Sequence, residues 1–154
     1  MKAVVQRVMD ASVSVHGVVK GSVSHGLLVY LGVAHDDTES DADWLSEKIA
    51  YLRIFDDDDG RMNLSLKDLS SIDKEKASLL AVSQFTLLAD ARKGRRPSWN
   101  GAAPPEKAKQ LYEYFINAVQ KTGLVCESGE FQAHMMVKYT NDGPVTIILD
   151  TKEI

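Results

Sequence analysis

The chain has 154 residues, a net charge of −4 and a pI near 5.5, with 44% hydrophobic and 26% charged residues. This composition excludes a disordered or fibrous chain and suits one domain, 1–154, with a core of its own. The acidic balance excludes a general nucleic-acid coat, so contact with a polyanion has to come from a local basic patch.

Met1-Lys2-Ala3-Val4-Val5-Gln6-Arg7 runs straight into strand-like sequence without a signal-peptide core. No apolar run approaches the roughly 18 residues of a membrane span, and a cytoplasmic location is the expectation. Residues 2–9 predict a strand with Val5 and Arg7 on one face and Val4, Gln6 and Val8 on the other. Ser12-Val13-Ser14-Val15 alternates, and His16-Gly17 offers a hairpin turn into 18–24. Residues 26–33 are apolar almost throughout, as in a central strand covered on both faces. Asp37 or Thr38 can cap a helix that begins near Ser40 and carries Leu45, Ile49 and Leu52.

Asp56-Asp57-Asp58-Asp59-Gly60 reads as a solvated acidic turn. Aligned on Gly60, a calcium loop would have Phe55 at its first ligand position and Leu66 at its last, where a carboxylate is required. Residues 79–87 begin as a buried strand and turn polar in their second half. Pro104 and Pro105 suit the first turn of a helix whose apolar stripe is Ala108, Leu111, Tyr112, Phe115 and Val119, with Gly123 as its stop. Strands near 124–127, 134–141 and 145–150 close the chain. Cys126, the single cysteine, excludes an internal disulfide and a thiolate zinc cluster, and reads as a small, at least half-buried apolar residue. The element order predicts a sheet-rich α/β fold, with no linker or internal repeat dividing it.

No phosphate loop, dinucleotide fingerprint or H-E-x-x-H motif is present. His16, His25, His35 and His134 are scattered without metal-ligand spacing and read as surface or hydrogen-bonded residues. Arg92-Lys93-Gly94-Arg95-Arg96 is either a polyanion-binding patch or a solvated loop. Ser83, Gln84 and Thr86, at the end of an apolar strand, are costly to bury unpaired. They are either satisfied structurally or line a site. Asn141-Asp142-Gly143-Pro144-Val145-Thr146, taken alone, is an ordinary turn, and composition does not argue for a cis bond.

Together, Ser83-Gln84-Phe85-Thr86-Leu87 and Asn141-Asp142-Gly143-Pro144-Val145-Thr146 resemble the two signature motifs of the D-aminoacyl-tRNA (D-tyrosyl-tRNA) deacylase family. The resemblance takes in Met1–Val8, Gly26–Val29, Lys48-Ile49, Leu52–Phe55, Lys93-Gly94, Arg96-Pro97 and Leu111-Tyr112. It implies a β/β/α layered fold and a homodimer that hydrolyses D-aminoacyl-tRNA, and also glycyl-tRNA, without metal or organic cofactor. Gly143 and Pro144 would be joined by a cis bond and enter the partner's pocket as a chiral selector that leaves no room for an L side chain, with Arg7 as brace. Ser83, Gln84, Phe85 and Thr86 would form the floor beneath the scissile carbonyl, with backbone N–H groups as oxyanion donors. Thr86 is the candidate nucleophile by residue type, but no neighbour in sequence offers the base its hydroxyl needs. The favoured reading has Thr86 positioning while the ribose 2′-OH of the terminal adenosine assists. Without the resemblance, Thr86 is equally a β-branched residue that suits a strand. Phe131 and Met135 would contact the adenosine or the amino acid, Ala102 would line the pocket, and Arg92, Lys93, Arg95 and Arg96 would meet the acceptor-stem phosphates.

Two departures stand out. Gln132 occupies a position where the family more often has glycine, a change expected to alter one wall of the site, and Ser70–Ala77 is longer and more charged than the usual turn. Two other readings compete. One is a non-enzymatic tRNA- or DNA-binding module. The other is an esterase for small substrates, disfavoured because no G-x-S-x-G elbow or Ser-His-Asp order is present.

Overall fold

The computed structural model describes residues 1–73 and 77–153. The first hairpin joins β1 (Lys2–Val15) to β2 (Val18–Val23). His16 and Gly17 form its turn with φ of 49° and 79°, the left-handed pair that matches strand twist. β3 (Gly26–Gly32) pairs antiparallel to β1. The chain then forms α1 (Glu39–Ala50), a small hairpin of β4 (Phe55–Asp56) and β5 (Met62–Leu64), and α2 (Leu66–Ile72). β6 (Ser78–Ser83) returns parallel to β3, α3 (Pro105–Lys121) crosses over, and β7 (Val125–Ser128) lies parallel to β6. The main sheet runs β2-β1-β3-β6-β7, and the final strand β8 (Met136–Asp150) pairs with β1.

Alternation along β3 and β6 divides the core in two. Leu27, Val29, Leu31, Leu79 and Ala81 face α1 and α3 and pack with Leu45, Ile49, Leu111, Phe115 and Val119. Leu28, Leu80 and Val82 point the other way and meet Val8, Ala11, Val13 and Val23. Both faces of the central strands are therefore covered, as their unbroken apolar runs require. The result is the expected sheet-rich, β/β/α layering.

β1 serves both layers. Ala3 and Val5 belong to the helix-side cluster, whereas Val8, Ala11 and Val13 belong to the other. The pairing with β8 shifts register between Val8 and Asp10, and Met9 stands 52% exposed there. That bulge reverses the inside–outside phase. Residues 2–9 and 12–15 are thus one strand rather than two.

β8 behaves in the same way. The expected strands at 134–141 and 145–150 are a single element, interrupted where pairing jumps from Val8–Asn141 to Gln6–Thr146. Residues 142–145 are left opposite Arg7 alone.

Of the two cap candidates, Thr38 is the cap of α1: its backbone N–H and its hydroxyl donate to Asp41 at 2.8 and 2.9 Å. Asp37 is fully buried and instead pairs with the Met1 ammonium at 2.7 Å. In the acidic turn, Asp57 Oδ1 accepts from the N–H groups of Asp59 and Arg61, both at 3.0 Å. α2 was not expected; Ser65 caps it, its hydroxyl accepting from Asp68 N–H at 3.1 Å. This helix takes in residues 70–72 of the charged stretch, while 74–76 lie outside the described residues. The α3 stripe buries Leu111, Tyr112, Phe115, Ala118 and Val119, and Gly123 follows with φ of 87°.

Candidate active site

β6 stops at Ser83, four residues short of the expected strand end. Gln84 N–H still donates to Leu31 O at 2.8 Å, and the chain then tightens into a 3-10 turn over Phe85–Leu88. Phe85 and Thr86 therefore lie on a turn rather than in a strand. The first N–H groups of such a turn have no partner within it. Those of Phe85 and Thr86 have no acceptor among the described residues.

This strand end floors a cavity of about 560 Å³, which Ser83, Gln84 and Phe85 line from below. Ala102, Phe131 and Met135 line its walls, together with Tyr112 from α3. The Ala102 wall is tied to β3's exit, since Ala103 N–H donates to Val33 O at 2.9 Å. Tyr112 donates its hydroxyl to Ala81 O at 2.8 Å, and burial raises the phenol's pKa, so it stays neutral. Thr86 does not line the cavity; its hydroxyl oxygen accepts from Gln84 Nε2.

Gly143, Pro144 and Arg7 are not part of this cavity. They form a separate feature, the bulge of β8. The Gly143–Pro144 bond is cis, and both residues are exposed. Gly143 has φ of +118°, and a Cβ there would meet Val145 at 2.7 Å, so no side chain fits.

The bulge is braced from below. Asn141 Nδ2 donates to Arg7 O and Val145 O at 2.9 and 3.1 Å, replacing ladder bonds that the bulge removes. Buried Arg7 donates through Nη1 to Ile54 O at 2.7 Å. Its Nε lies 2.9 Å from the Asp142 carboxylate. That Nε–H has no aligned hydrogen-bond acceptor among the described residues, so the Asp142 contact is one of charge.

The basic loop is pinched by paired hydrogen bonds between Asp90 and Ser98, both 2.9 Å. Arg92 is committed to Asp90 through Nε and Nη2 at 2.9 and 2.7 Å, which holds that carboxyl well below the usual range. Lys93, Arg95 and Arg96 are exposed and have no ion-pair partner among the described residues. Three of the four expected cations thus remain available to a ligand.

The family model described as D-Tyr-tRNA(Tyr) deacylase matches residues 4–150. This chain belongs to that family. It is 56% identical over 153 residues to the D-aminoacyl-tRNA deacylase of Koribacter versatilis (strain Ellin345), covering 99% of each chain. It is 51% identical to that of Thermotoga petrophila, covering 100% of this chain and 99% of the relative. A solved structure titled c-Myc DNA Unwinding Element Binding Protein superposes with a TM-score of 0.88 at 39% identity, over 98% of this chain and 99% of that one. A probable eukaryotic D-amino acid tRNA deacylase superposes at 0.80 over 96% and 97% of the two chains, and at 16% identity shares the fold alone.

In this deacylase-family member, the cavity lining includes residues that the sequence does not single out as site candidates, Tyr112 and His134 among them. His134, which the sequence reads as a surface or hydrogen-bonded residue, is exposed yet lines the cavity. Its signal was its place between Phe131 and Met135, three and one residues away. Gln132, the departure expected to alter one wall of the site, does line the cavity, and the backbone explains why glycine suits that position. Gln132 has φ of +64°, where a side chain is costly.

Proposed function

We propose that this protein hydrolyses the ester joining a D-amino acid to tRNA, releasing free amino acid and tRNA, and that residues 1–154 act as one domain. The observation that carries this reading is the cavity floored by Ser83-Gln84-Phe85, with the N–H groups of Phe85 and of the next residue, Thr86, lacking an acceptor among the described residues. Water attacks the ester carbonyl carbon, and these N–H groups take the charge that develops on the carbonyl oxygen. The acyl–oxygen bond then breaks, and the 3′-oxygen of the terminal adenosine leaves with a proton. Thr86 serves as a positioning residue. Its hydroxyl accepts from an amide NH₂, which has no lone pair for the threonine proton, so the 2′-OH of the same ribose assists the attack. Phe131, Met135 and Ala102 bound the space for the adenosine and amino acid. No metal or organic cofactor takes part.

Selectivity in this reading comes from Gly143 and Pro144 of a second copy. One chain holds the pair exposed and outside its own cavity, over a bulge braced by Arg7 and Asn141. Placed in a partner's pocket, a glycine backbone with no side chain can approach the ligand closely. It occupies the space of an L side chain whatever that side chain is. Glycyl-tRNA, having no side chain to exclude, is cleaved as well. A tRNA substrate supports a cytoplasmic location. The test is hydrolysis of matched D- and L-aminoacyl-tRNA and of glycyl-tRNA. The D ester and the glycyl ester should be cleaved far faster than the L ester, and comparable D and L rates would overturn the selector.

A non-catalytic nucleic-acid-binding module is the competing reading, favoured by three loop cations, Lys93, Arg95 and Arg96, that have no ion-pair partner among the described residues. Release of the amino acid from D-aminoacyl-tRNA separates the two.

A further inference from the structure

Phe85 and Trp99 are both large, apolar and exposed, at 57% and 42%. They pack edge to face, with ring centroids 5.4 Å apart and planes 69° from parallel. Phe85 also lines the cavity, so the pair begins where the active site ends. Trp99 is held between two fixed points. Its carbonyl accepts from Ala102 N–H at 2.9 Å, and Ala102 is a cavity wall. On its other side Ser98 closes the loop that carries Lys93, Arg95 and Arg96. The chain therefore runs from free cations through an exposed indole to the cavity wall, in a protein whose net charge is −4.

Exposed aromatic faces beside unpaired cations fit single-stranded nucleic acid: bases stack on rings, and phosphates meet the cations. We propose that Phe85 and Trp99 form a stacking platform for the unpaired nucleotide just 5′ of the terminal adenosine, with Lys93, Arg95 and Arg96 on the adjoining phosphates. This rests on the deacylase reading and adds a reason why the whole tRNA end, rather than the aminoacylated adenosine alone, is gripped.

The test compares Trp99→Ala and Trp99→Phe with the wild type on two esters, D-aminoacyl-tRNA and D-aminoacyl-adenosine, which lacks the stacked nucleotide. Loss of one stacked base raises KM for the tRNA ester about tenfold or more, with kcat nearly unchanged. Trp99→Phe restores most of that loss, and hydrolysis of the adenosine ester keeps its rate. Trp99→Ala leaves the salt dependence of tRNA binding intact, whereas an Arg95→Ala, Arg96→Ala double variant lowers its slope. In addition, an uncharged acceptor-stem RNA hairpin with an unpaired 3′ end quenches tryptophan fluorescence in the wild type but not in Trp99→Phe; a blunt hairpin does not quench it.

Equal losses on both esters would make Trp99 a wall of the cavity and overturn the platform. So would absence of quenching by the tailed hairpin, or dissociation of an oligomer by Trp99→Ala. If the wild type cleaves neither ester while the tailed hairpin still quenches, the deacylase reading fails and the platform stands.

Discussion

The Thr86 hydroxyl accepts from Gln84 Nε2, and Thr86 sits one position beyond the residues that line the cavity. Thr86→Ala should accordingly leave appreciable hydrolysis in a single-turnover assay. Loss of nearly all activity would restore the nucleophile reading. A tRNA ending in 2′-deoxyadenosine gives the complementary measurement, and undiminished turnover of it would remove the 2′-OH from the mechanism. Cys126 contributes nothing to this chemistry: burial, with Glu127 beside it, pushes its thiol up to about 12, so it stays protonated at neutral pH. Its reading as a small, at least half-buried residue required only its place in a strand-like segment between Val125 and Glu127.

At the level of elements, α1 is tied to the chain's end through one carboxylate. Burial by itself would raise the Asp41 pKa. The opposing hydrogen bonds, from Thr151 at 2.6 Å, from Thr38 and from Lys152 at 3.3 Å, prevail and hold it well below the usual range. Asp41→Ala should destabilise the protein by about 1–2 kcal/mol at neutral pH, as loss of a helix-start carboxylate does. The sign follows from the depressed pKa. The contribution is present above the unfolded value near 4 and is lost as pH falls through the folded one. Denaturant midpoints of both proteins should therefore converge on acidification, and a penalty constant with pH would contradict the assignment. The β8 bulge obeys the same logic of replaced partners: where the ladder opens opposite Arg7, the Asn141 amide takes over the carbonyls of Arg7 and Val145.

For the whole molecule, the cavity and the Gly143-Pro144 bulge are separate features of one chain, and a two-fold pair would give each cavity the other's bulge. Mixing two inactive variants, one altered at Gly143 and one in the Ser83–Thr86 floor, should return part of the activity. In a mixed dimer both lesions fall in one pocket and the other is intact. If mixed dimers form, as seen by tagged co-purification, and no activity returns, the site is built within one chain.

Local chemistry alone determined much of this protein. Alternation and unbroken apolar runs marked the strands, Asp37-Thr38 and the two prolines marked helix starts, and His16-Gly17 marked a turn, because each depends on neighbours a few residues away. The two signature motifs were legible for the same reason, being short and contiguous. Tertiary structure decided the rest. Register shifts in β1 and β8 depend on what each strand pairs with, so periodicity split each of them into two pieces. β6 ends at Ser83 because Gln84 makes the last bond to β3, a partner more than fifty residues away in sequence. The seven residues of α2 are too few for a helical period to emerge, and their stability comes from packing. His134 became a site residue only when the segment after β7 folded against α3. Convergence of distant segments is what a linear pattern cannot carry, since the contacts that form a site are made by folding.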